Sequence, residues 1–230
     1  IDMGANKVAT ATGALGSDTL TATGNQGTTV TAAALNLSNV EKVQLTIGGA
    51  AASYIDGSKL TNVGEIAFSS TAGPATFTNM PAGTAIGLGI ADVEGNATIT
   101  YALADATGTE DALSLNYSDT LNAGSSNTLV APGVEILNIS AEKAGSNTST
   151  LVNTAMTAST INVTAGVATN TLALGTLNKA TTSVVNTGKS IVTFTSATGV
   201  AMNATASAAV INNITLSTKA DTVTLSGILG

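Results

Sequence analysis

The sequence predicts an all-β protein, a parallel β-solenoid (β-helix) with coils of roughly 20 residues. Three observations predict it. Apolar residues alternate with hydroxyl or amide residues in many short runs, similar segments return at short intervals, and aromatic residues make up only 3% of the 230-residue chain.

The alternation is read first. It appears at Thr19-Leu20-Thr21-Ala22-Thr23, Ala97-Thr98-Ile99-Thr100-Tyr101 and Ala112-Leu113-Ser114-Leu115-Asn116. It returns at Thr160-Ile161-Asn162-Val163-Thr164, Ile191-Val192-Thr193-Phe194-Thr195 and Thr222-Val223-Thr224-Leu225-Ser226. Period-two patterning is the mark of a half-buried strand. Gly, Asn and Asp between the runs supply turns. Helical periodicity is scarce. The Ala-rich stretches Thr31 to Leu37 and Met202 to Val210 are open to helix, strand or loop.

The repeats come next. One motif is Val40-Glu41-Lys42-Val43-Gln44-Leu45, repeated as Val134-Glu135-Ile136-Leu137-Asn138-Ile139 and, more loosely, as Val63-Gly64-Glu65-Ile66-Ala67-Phe68. Val40 and Val63 are 23 residues apart, and Met156–Gly166 resembles Leu177–Gly188 about 21 residues on. A second motif is Ser17-Asp18-Thr19-Leu20, Ser118-Asp119-Thr120-Leu121 and Ala220-Asp221-Thr222-Val223, with its aspartates 101 and 102 residues apart. The short period suggests coils that each add one strand per face. Ten or so coils, each about 4.8 Å high, predict a rod of roughly 50 Å. The long period admits two internal repeats, 18–118 and 119–220, and with them an alternative fold of tandem immunoglobulin-like β-sandwiches. The absence of Trp favours the solenoid, whose thin core suits Ala, Val, Leu and Ile. Residues 1–230 are read as one repetitive β domain, a fragment of a longer polypeptide.

Composition excludes several function classes. Charged residues are 9% of the chain, the net charge is −7, and all seven basic residues are Lys. A nucleic-acid partner requires a basic stripe, and an anionic membrane surface would repel this chain. No apolar run is long enough for a transmembrane helix. His and Cys are absent, which removes Ser-His and Cys-His catalysis and the usual zinc sites. A glycosidase-like carboxylate pair is formally available, but Glu110 and Asp111 in a strand would point to opposite faces. A polysaccharide lyase would want basic residues against an acidic sugar, and Lys is scattered. The chain is therefore read as non-catalytic.

Asp18, Asp119 and Asp221 are candidate calcium ligands, since hard oxygen donors at tight turns suit that ion. The competing reading is that each closes a turn through nearby backbone amides. Asp56, Asp92, Asp105 and Asp111 carry the same two readings, and Glu41 and Glu135 are read as marking the polar face of the repeated strand. Sugar binding would need exposed aromatics. Phe68 and Phe194 are read as core, and Tyr101 and Tyr117 as the candidate surface contacts.

The Asp-Thr-Leu starts, the Val-Glu-x-Val-x-Leu motifs and the Thr/Ala/Asn-rich alternation resemble the repetitive regions of proteobacterial surface-layer (S-layer) proteins and related type-I-secreted, RTX-like surface proteins. The resemblance implies an extracellular, cell-surface protein that forms a homo-oligomeric two-dimensional lattice, often with calcium. Any hold on cell-surface polysaccharide would lie in regions outside this chain. Some relatives of that kind carry Gly-Gly-x-Gly-x-Asp repeats; this chain has none, and Gly16-Ser17-Asp18-Thr19-Leu20 is the nearest to one. Two other functions are weighed beside the lattice subunit: an adhesin stalk, and a carbohydrate-active enzyme on a β-helix.

Overall fold

The fold is seen in a computed structural model, which describes residues 10–12, 19–24, 30–34, 36–47, 53–70, 74–88, 98–117, 126–141, 148–153, 157–164, 171–206, 213–216 and 219–225. In chain order the strands begin with β1 (Thr10–Thr12), β2 (Thr19–Gly24), β3 (Val30–Ala34), β4 (Asn36–Ser38), β5 (Lys42–Ile47) and β6 (Ser53–Asp56). They continue with β7 (Leu60–Thr61), β8 (Glu65–Ser70), β9 (Ala75–Met80), β10 (Ala85–Leu88), β11 (Thr98–Leu103) and β12 (Ala112–Tyr117). Then come β13 (Ser126–Val130), β14 (Ile136–Ala141), β15 (Thr148–Asn153), β16 (Thr160–Thr164), β17 (Thr171–Thr176) and β18 (Ser183–Asn186). The last are β19 (Ile191–Thr195), β20 (Asn203–Ala206), β21 (Asn213–Thr215) and β22 (Thr222–Leu225). Among the described residues the one helical element is a 3-10 turn, Gly57–Lys59.

Strand order makes this a solenoid. Sheet A has ten strands in the order β2-β5-β8-β10-β12-β14-β16-β18-β20-β22, and sheet C has nine, β21-β19-β17-β15-β13-β11-β9-β6-β3. The chain alternates between them, so each circuit adds one strand to each sheet. Every pair is parallel. That pairing rules out the tandem sandwiches, whose sheets are antiparallel. Ten strands at about 4.8 Å give sheet A a height near 45 Å.

Register gives the coil length residue by residue. Val43 faces Ile66, Leu115 faces Ile139, Ile139 faces Val163 and Ile161 faces Val184, steps of 23 or 24 residues. Ile86 faces Leu115, a longer step of 29, and its extra length includes the exposed loop 104–110. The described residues of the six alternating segments all fall on strands: β2, β11, β12, β16, β19 and β22. The two Ala-rich stretches hold strands β3, β4 and β20.

The core lies between the sheets in stacked rows. On sheet A, Val43, Ile66, Ile86, Leu115, Ile139 and Val163 are in register and each is essentially sealed from solvent. On sheet C, Ile55, Phe77 and Tyr101 form a row, with Phe77 and Tyr101 at 0% exposure. Rows of identical height let small aliphatic side chains fill a thin interior without large rings.

The first coils have a third side, sheet B, ordered β1-β4-β7. Leu37 and Leu60 bury its inner face. Asn39 and Asn62 end β4 and β7 in the left-handed region, at φ 54° and 53°, which Asn tolerates better than most residues. Asn62 Nδ2 donates to Asn39 Oδ1 at 3.0 Å, joining the two corners across one coil. The next coil has no third strand. Pro81 brings no N–H to a ladder, and Gly83 takes φ +87°. The turn passes directly to β10, with Thr84 Oγ1 donating to Val63 O at 3.0 Å.

Candidate functional site

Hydroxyl and amide side chains link several neighbouring coils. At the corners leading into sheet A, Thr157 Oγ1 donates to Val134 O (3.2 Å), Ser159 Oγ to Glu135 O (3.2 Å) and Thr181 Oγ1 to Ala158 O (2.8 Å). On the outer face of sheet A, Asn162 Nδ2 donates to Asn138 Oδ1 at 2.9 Å. The abundance of Thr, Ser and Asn thus has a structural cause: corner backbone groups that no strand satisfies find partners one coil away.

The acids bond within their own turns or to a neighbouring coil. Asp56 Oδ1 accepts from Ser58 N and from Asn79 Nδ2, each at 3.0 Å, and the Asn79 bond holds its carboxyl below the ordinary aspartate value. Asp105 Oδ1 accepts from Thr107 Oγ1 at 2.7 Å and Thr107 N at 3.1 Å, and its carboxyl is lowered by that hydroxyl and then that amide. Asp111 Oδ2 accepts from Gly108 N at 3.1 Å, and Glu135 Oε2 accepts from Asp111 N at 3.0 Å. Glu110 is exposed in the same loop, and both Glu110 and Asp111 precede β12 rather than lying on a strand. Glu41 and Glu135 also lie off the strands, each at the corner one residue before β5 and β14.

Of the three candidate calcium ligands, Asp18 and Asp119 lie outside the described residues. Asp221 is half-buried, and its Oδ1 accepts from Met202 N, one coil earlier, at 2.8 Å. That bond ties two coils together rather than closing a turn around Asp221 itself. In chain position, Asp18 and Asp221 directly precede β2 and β22, whereas Asp119 follows the end of β12. Among the described residues no three of Asp, Glu, His or Cys come together as a metal site.

The aromatic assignment needs one correction. Tyr101 is not a surface contact: Ile99, Tyr101 and Leu103 share the inner face of β11. Its hydroxyl has no hydrogen-bond partner, and burial pushes its pKa up to about 12. Phe194 is core at 5% exposure, as expected, and among the described residues Tyr54 is an exposed ring at 41%. The side chains of Phe68 and Tyr117 lie outside the described residues.

Sequence reasoning missed a polar cluster on the outer face of sheet A. Lys42 Nζ lies 3.1 Å from Glu65 Oε1, on adjacent strands where the two residues are register partners. Asn116 Nδ2 donates to Glu65 Oε2 at 2.9 Å. The signal was available for the first pair, since opposite charges one coil period apart are neighbours. No helix among the described residues is long and apolar enough to cross a membrane.

Searches of family profiles, curated proteins and solved structures return no match for this chain.

Proposed function

We propose that this chain is a non-catalytic, self-associating segment of a bacterial surface layer, acting outside the cell as part of a two-dimensional array. The observation that supports the reading is where charge sits. Among the described strand residues only Lys42, Asp56 and Glu65 are charged, and Lys42 and Glu65 neutralise each other. From β9 to β21 the strands of sheet C hold no charged residue, and neither do those of sheet A from β10 to β22. Soluble monomers keep apart through mixed surface charge, roughly a quarter or more of surface residues. Two broad faces of Thr, Ser and Asn lack that protection. Many weak polar contacts between such faces hold an array by multiplicity.

The engagement of Asp56, Asp105 and Asp111 in turns, and of Asp221 with the neighbouring coil, favours a structural role for the carboxylates over a catalytic one. Calcium enters this proposal through assembly rather than chemistry. Light scattering against protein concentration, with calcium or with chelator, is the test. The expected result is concentration-dependent growth into large particles, strengthened by calcium. A monomer at every concentration in both conditions contradicts the lattice reading and favours the isolated rod of an adhesin stalk.

A further inference from the structure

In a stack of coils, stability is set by each coil and its contacts with its nearest neighbours, so single coils can open one at a time. The side-chain bonds described at the corners and along the Asn pair obey this pattern, each linking one coil to the next. Glu65 does not. It stands on β8, and its partner Asn116 stands on β12, 51 residues on and two strands away. The strand between them, β10, is crossed by the carboxylate at Gly87, the register partner of both Ala67 and Asn116.

Gly87 makes the crossing possible. A Cβ at this position would fall on the Glu65 carboxylate and lie 2.7 Å from Ala67 Cβ. With no side chain there, the carboxylate lies down over the strand. Ala67 beneath it is at 0% exposure although it faces outward, and Glu65 Oε1 is sealed from solvent, facing Lys42. The assembly thus runs over four consecutive strands of sheet A: Lys42 on β5, Glu65 on β8, the gap at Gly87 on β10 and Asn116 on β12. It spans the irregular 29-residue step from Ile86 to Leu115, where the interruption between matching strand positions is greatest among those steps.

We infer that Glu65, Gly87 and Asn116 form a cross-coil latch that makes the coils of β8, β10 and β12 open as one unit. Lys42 holds the carboxylate at the end opposite Asn116. The latch couples second neighbours in a stack otherwise coupled through first neighbours, so β10 cannot leave the sheet while its two flanking strands stay closed. The loop-bearing coil is thereby kept as stable as the regular coils on either side.

Native-state hydrogen exchange of the 230-residue chain, with Asn116→Ala, Gly87→Ala and Glu65→Ala variants, tests this. In the unmodified chain the core amides of β8, β10 and β12 should exchange through a common opening. Asn116→Ala removes the two-coil bond and nothing from the core. It should make β10 and β12 amides exchange about tenfold faster than before, the scale of a lost hydrogen bond to a charged group, while β8 and β16 change little. Gly87→Ala should speed exchange in β8 as well, because its Cβ meets Ala67 in addition to the carboxylate. Combined with Glu65→Ala, Asn116→Ala should add far less than its own single effect, because the two remove one contact. Equal acceleration of all strands in Asn116→Ala, or additive effects of Asn116→Ala and Glu65→Ala, overturns the latch. Because Asn116→Ala leaves every buried apolar side chain in place, the test stands if Gly87→Ala does not fold.

Discussion

Replacing Phe77 with Ala is expected to lower stability by about 3–5 kcal/mol, the usual range for emptying a buried aromatic site. Phe77 is fully buried, between Ile55 on β6 and Tyr101 on β11 in one inward row. The interior is one side chain deep from each sheet, so little surrounding material can collapse into the gap. The strands above and below are tied by parallel ladders and cannot close together without breaking register. Urea unfolding followed by far-ultraviolet circular dichroism reads the loss as a lower midpoint. Thr76→Ala, on the outer face of the same strand, serves as the control and should change stability by no more than about 0.5 kcal/mol. Equal effects of the two changes would mean that Phe77 does not occupy the packed row.

Tyr101→Phe is expected to stabilise the protein and to abolish an alkaline transition. The hydroxyl of Tyr101 is fully buried and unpartnered, and an unsatisfied buried polar group costs about 1–3 kcal/mol. Phenylalanine keeps the ring and removes that cost, so the melting temperature should rise by a few degrees at neutral pH. The pH dependence has a definite sign. Burial raises the folded-state pKa from 10 to about 12, so between those values the unfolded chain has released a proton that the folded chain retains. Stability is therefore intact below pH 10 and falls as pH rises through that window. A shift of about two units corresponds to about 3 kcal/mol by its upper end. Melting curves from pH 9 to 12 should show the decline in the unmodified protein beyond what Tyr101→Phe shows. Parallel decline of both proteins, or a less stable variant at pH 7, would contradict this placement of the ring.

The same residue shows how far the sequence could be read. Thr98-Ile99-Thr100-Tyr101 alternates, and the alternation alone puts Tyr101 on the same face as Ile99. Reading Tyr101 as a surface contact for sugar set that alternation aside, and the ring packs in the core. Alternation also located β16 and β19 to the residue, and the 23-residue interval from Val40 to Val63 is the coil step seen between Val43 and Ile66. The 101- and 102-residue spacing of the aspartates is less informative, since Asp119 falls after a strand where Asp221 falls before one. Division into two large sheets plus a short third one was not legible, because it depends on where corners bend. Pro81 and Gly83 end the third side, but the same residue types mark any turn. Gly87 was invisible as a functional position. Its importance comes from a carboxylate 22 positions earlier in the chain, and no local pattern announces that.

The most direct test of the surface-layer proposal is electron microscopy of the protein beside a variant with lysines placed on both uncharged faces. Thr98 on sheet C and Asn203 on sheet A are exposed and point away from the core, so Thr98→Lys with Asn203→Lys should leave the coils folded. Lysine on an exposed β surface opposes association. The account predicts ordered two-dimensional arrays from the unmodified protein and dispersed single rods from the variant, with the same circular dichroism spectrum. Dispersed rods from both proteins, with calcium present and absent, would contradict it.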